Sequence, residues 1–148
     1  MAQELEEWVE QVFGGAVVRI EGDLSCSFDP LFREFFALRC TPALGHLSEQ
    51  GSTLNAACYM WWDFDCWCVL PDPLTLDPLD AALLACMRSI LEIDHVACRE
   101  SALHGLGHWH RAQSAAVEDI VDEFLRRNPS LPGPLRQYAL SARRGYVL

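Results

Sequence analysis

Three of the five histidines fall in one short stretch: His104, His108 and His110, within CRESALHGLGHWHR, residues 98–111. His104 and His108 are four apart, so on a helix they share a face and could grip one ion. Glu100 stands one turn earlier on that face. His110 points elsewhere if the helix continues. The stretch is not the HExxH of zinc proteases, because Gly105 occupies the place of the carboxylate beside the first histidine. A complete metal site therefore needs further ligands from another helix. The competing reading makes these histidines the lining of a polar groove, or part of a helix interface.

Cys58, Cys66 and Cys68 form a second cluster. Structural zinc sites pair Cys-x-x-Cys with a second such pair or with two histidines. Neither is visible, so buried apolar thiols are the simpler account, and without a Cys-x-x-Cys there is no thiol redox motif. The chain has no Gly-x-Ser-x-Gly elbow and no phosphate-binding glycine loop. Gly105 and Gly107 sit mid-helix, where each costs about 1 kcal/mol relative to alanine. Close approach of a neighbouring helix is the simplest reason to keep them. Asp63 and Asp65 lie in or near a loop and read as solvated acids rather than a catalytic pair.

The elements that must position these groups are helices. Apolar residues make up 51% of the 148 and charged residues only 22%, enough for one domain with a real core. The net charge of −10 favours a cationic partner and repels duplex nucleic acid. No stretch combines a basic region with a long apolar run, so neither a signal peptide nor a membrane span is expected. With seven cysteines, an odd number, the chain reads as cytoplasmic, its thiols mostly small buried hydrophobes in a reducing compartment.

Residues 3–13 read as an amphipathic helix with Leu5, Trp8, Val9, Val12 and Phe13 in one stripe. Residues 14–28 are loop or a short extended run. Asp29-Pro30 opens a helix to Cys40 with Phe32, Phe35 and Phe36 inward. A second helix starts near His46 or Ser52 and ends near Asp63. Asp77 caps a third over 78–92, followed by one over about 95–111. Ser114 caps another over 115–127, and Asn128 to Pro134 breaks the chain before a last helix over about 134–144.

Ser101-Ala-Leu-His-Gly-Leu-Gly-His aligns with Ser52-Thr-Leu-Asn-Ala-Ala-Cys-Tyr at an offset of 49, and Asp77-Pro78 with Asp29-Pro30 at an offset of 48. A helix pair repeating at this period resembles the HEAT and armadillo-like family of α-α helical repeats. The resemblance covers residues 29–145. It implies an all-α, right-handed α-α superhelix of about seven helices in a single domain, 1–148, with 1–28 as an N-terminal helix and loop. It also implies a protein-binding scaffold.

The alignment predicts a surface. Leu54, Ala57, Cys58 and Trp61 take core positions, so Asn55, Tyr59 and Trp62 form the neighbouring ridge. Adding the offset gives His104, His108 and Arg111. These six residues are expected to form one exposed, aromatic-rich binding strip, with Asp63, Asp65 and Asp72 at its end. The function expected is a non-catalytic protein-binding module without a cofactor, such as an acidic inhibitor or immunity-type protein for a basic partner. The alternative is a protein or enzyme that binds zinc or another divalent metal through His104 and His108.

Overall fold

The computed structural model describes residues 28–46, 52–63 and 78–147. The predicted helix over 3–13, the stretch 14–27, Cys66, Cys68, Asp65, Asp72 and the Asp77 cap lie outside the described residues. Five helices make up the rest, and among the described residues there is no strand.

Helix α1 begins as a π-helical segment, Leu31–Phe36, and continues as a turn, Ala37–Arg39. Leu31, Phe32, Phe35 and Phe36 all lie inside, an i, i+1, i+4, i+5 stripe along one face. Asp29 does not cap the backbone here; its carboxylate accepts from Arg33 and from the Ser89 hydroxyl. Helix α2, Thr53–Tyr59, is capped by Ser52, whose Oγ accepts from the Leu54 N–H at 3.2 Å. It tightens into a 3-10 turn, Met60–Asp63. Helix α3 spans Pro78–Leu91, α4 spans Val96–Arg127 and α5 spans Gly133–Ala142.

Helix α4 packs on α1, α2, α3 and α5. The described helices are thus arranged around α4. The expected helices over 95–111 and 115–127 meet at Gln113, whose φ of −129° and ψ of 48° are not helical, and together they form α4. Before the break α4 is buried almost all round, through Cys98, Glu100, Leu103, His104, Leu106 and Trp109. After it, only one stripe of Val117, Ile120, Val121 and Phe124 is inside.

The core around α4 is aromatic. Phe32 stacks on Trp62 at 6.1 Å between ring centres, and Phe28 meets both Trp61 and Trp62 edge-on. Cys40, Cys58 and Cys98 are buried free thiols, as expected for small hydrophobes. Cys86 departs from that expectation, being disulfide-bonded. No described helix is long and apolar enough to cross a membrane.

Candidate metal centre

Gly105 explains how a second element reaches the histidines. A Cβ there would lie 2.7 Å from both Trp62 Cγ and Met87 Sδ. Only a hydrogen lets Trp62 seat directly on the α4 backbone. The next residue of the 3-10 turn, Asp63, then lies over His104 and His108. Gly107 has the same role toward Val147, which occupies the space a side chain would need. Both glycines thus serve close packing, as the sequence implied.

Asp63 Oδ1 is 3.0 Å from His104 Nε2 and 2.6 Å from His108 Nε2, and the two Nε2 atoms are 3.0 Å apart. Among the described residues, these are the one group of three such side chains whose ligand atoms lie within 4.8 Å of one another. His104 is wholly buried, Asp63 is partly exposed and the His108 side chain is 41% exposed. The group is closed on one side and open on the other.

Behind His104 two tyrosines form a chain: the Tyr138 hydroxyl lies 2.7 Å from His104 Nδ1 and 3.1 Å from the Tyr59 hydroxyl. Burial pushes the His104 pKa below the usual histidine value and outweighs the pull of Asp63 in the other direction. Burial also raises both tyrosine pKa values, which keeps the hydroxyls protonated. On the near side, ligand atoms of His104, His108 and Asp63 converge within 3.0 Å. A hydrogen on an imidazole nitrogen or a metal ion can sit between them.

The spacing suits a metal. With ligands at about 2.1 Å, neighbouring donor atoms lie about 3.0 Å apart on an octahedron and about 3.4 Å apart on a tetrahedron. The observed triangle matches one face of an octahedron. Two imidazoles and one carboxylate are borderline ligands that suit iron, manganese, cobalt, nickel or zinc. The Tyr138 contact to the far nitrogen is the kind of outer support that fixes a ligating histidine.

Sequence reasoning singled out His104 and His108 and placed His110 off their face. His110 indeed turns away, toward Glu118. Asp63, the third member of the group, was read as a solvated acid and as an acidic flank of the predicted ridge, and Tyr138 was not singled out as a site residue. The six-residue strip is corrected. Asn55, Tyr59, Trp62 and His104 are buried, and only His108 and Arg111 are exposed. Asn55 is buried because its amide serves the loop after α1, accepting from the Thr41 N–H and donating to the carbonyls of Thr41 and Ala43. That turns the inner face of α2 toward Asn55 and Tyr59, leaving Ala57 and Trp61 half-buried.

No protein-family model, curated protein or solved structure matches this chain.

Proposed function

We propose that this is a divalent-metal protein with a mononuclear centre on Asp63, His104 and His108. The observation that carries the reading is the meeting of three ligand atoms at one point, with His104 backed by the Tyr138–Tyr59 hydroxyl chain. Three protein ligands leave coordination positions open, and the exposure of His108 places them toward solvent. Open positions are the pattern of catalytic rather than structural sites. A metal held there supplies Lewis acidity and an activated water. The chain's own groups orient the ligands: Tyr138 fixes the His104 ring, and Gly105 lets Asp63 approach. The reading as an acidic inhibitor keeps the net charge of −10 as its support, but its predicted surface is mostly interior.

Elemental analysis of the purified, untagged chain, followed by titration of the stripped protein with zinc, manganese and ferrous iron, tests the proposal. About one equivalent should bind to wild type and to His110→Ala. His104→Ala and Asp63→Ala should each lose affinity by at least about 100-fold, and Tyr138→Phe by about 10- to 100-fold. Wild type and His104→Ala binding equally, or neither binding at all, would sink the metal reading and leave a hydrogen-bonded triad.

A further inference from the structure

A second histidine is held quite differently. Glu100, on the buried half of α4, is wholly inaccessible and has no arginine partner. Its carboxylate is spent on the loop after α1: it accepts from the Gly45 N–H at 2.6 Å, from the His46 N–H at 3.3 Å and from His46 Nδ1. A carboxylate can only accept, so Nδ1 carries the hydrogen and Nε2 is the nitrogen left to meet a ligand. The ring is fixed further by stacking on Tyr138, 4.6 Å between centres and 27° between planes. Nε2 makes no hydrogen bond among the described residues.

His46 lines a cavity of about 460 Å³ with Tyr59, Tyr138, Ser141 and Tyr146. That volume is in the range of small-molecule sites. Its walls are three tyrosine rings, an imidazole and a serine hydroxyl. Among the described residues no arginine lines it, and the Glu100 carboxylate stands directly behind His46. An anion would therefore enter at a cost, whereas a flat, uncharged molecule would meet aromatic surface on several sides. Among the described residues His46 Nε2 is an oriented ring nitrogen with no hydrogen bond, which calls for a hydrogen-bonding group on the ligand.

We propose that this cavity binds an uncharged aromatic compound bearing an O–H or N–H group, of which a phenol is the simplest, with that group donating to His46 Nε2. The inference goes beyond the metal reading and does not depend on it. The two sites touch only through Tyr59 and Tyr138, whose hydroxyls bond each other and, from Tyr138, His104 Nδ1.

The test uses the full chain, once stripped of metal and once with zinc added, titrated with phenol, anisole and benzoate by calorimetry. Phenol should saturate one site in both forms. Anisole, with the same shape and no donor, should bind about tenfold more weakly, the value of one neutral hydrogen bond, and benzoate more weakly still. His46→Phe keeps a ring on Tyr138 and removes Nε2, so phenol should fall to the affinity of anisole while anisole is unchanged. Ser141→Leu fills the cavity and should abolish both. Equal binding of phenol and anisole to wild type overturns the proposal without any variant. So does the absence of phenol binding, or its survival in both His46→Phe and Ser141→Leu. Because the stripped protein is read separately, failure of the metal centre leaves the result for this cavity intact.

Discussion

The two halves of α4 follow opposite rules. Residues 96–112 bury Glu100, Ser101 and His104 alongside Leu103 and Leu106, and each buried polar group has a partner, Ser101 Oγ donating to the Cys58 carbonyl of α2. Residues 114–127 bury only apolar side chains and keep their charges outside, in pairs such as Glu123 with Arg88 and Arg127 and Asp122 with Arg143. The second half is an ordinary amphipathic helix that could be recoded with other apolar residues of similar size. The first is not interchangeable in this way, because its polar groups fold the loop at Gly45, anchor α2 and carry both histidine sites. The difference teaches that the first half is organised for positioning and the second for packing.

The largest expected break in this contrast is Glu100→Ala. It strands two backbone N–H groups and the His46 Nδ1 donor, and should cost about 3–5 kcal/mol in urea unfolding. Glu118→Ala, at an exposed site in the other half, should stay within about 0.5 kcal/mol of wild type. Next comes Val121→Ala, which deletes wholly buried carbon and should cost about 2 kcal/mol while leaving metal and phenol titrations unchanged. An altered titration in Val121→Ala would mean that the halves are coupled and the contrast is false. Gly105→Ala sets a helix-propensity gain of about 1 kcal/mol against overpacking at Trp62 and Met87 of about 1–3 kcal/mol. We expect a net loss of about 1 kcal/mol in thermal unfolding, together with weaker metal binding as Asp63 is pushed off.

The smallest effect concerns pH. Hydrogen bonds from Arg143 hold the exposed Asp122 carboxyl below its ordinary 3.8. A carboxyl with a lowered folded value stabilises above the unfolded value and loses that contribution as pH falls through the folded one. Asp122→Asn should therefore lower the unfolding midpoint slightly at neutral pH, and the difference should vanish only once pH has fallen through the folded value, which lies below 3.8. A large difference would place this pair among the interactions that matter, against its exposure.

How much of this was legible depended on whether the signal was local. Ser52 and the break before Ser114 mark helix boundaries through backbone capping and turn chemistry, and the structure puts an N-cap at Ser52 and a break at Gln113. The pairing of His104 with His108, and the packing role of Gly105, were equally readable from helical spacing. Asp63 was not, since it joins them from 41 residues away through a turn whose direction depends on how Trp62 packs. The inner face of α2 was misjudged for a related reason. Asn55 reads as a surface residue until the loop it bonds is known, and that loop is held from the far side by Glu100.

Gln113 has a consequence in length. A straight helix of 32 residues would be about 48 Å long. A compact chain of this size is only about 38 Å across, so an unbroken rod would protrude and leave its far stripe without cover. Interrupted at Gln113, the same residues make two rods of roughly 25 and 20 Å, each short enough to lie within the globule. The break thus lets a single helix run through the protein from end to end while both of its parts face the same interior.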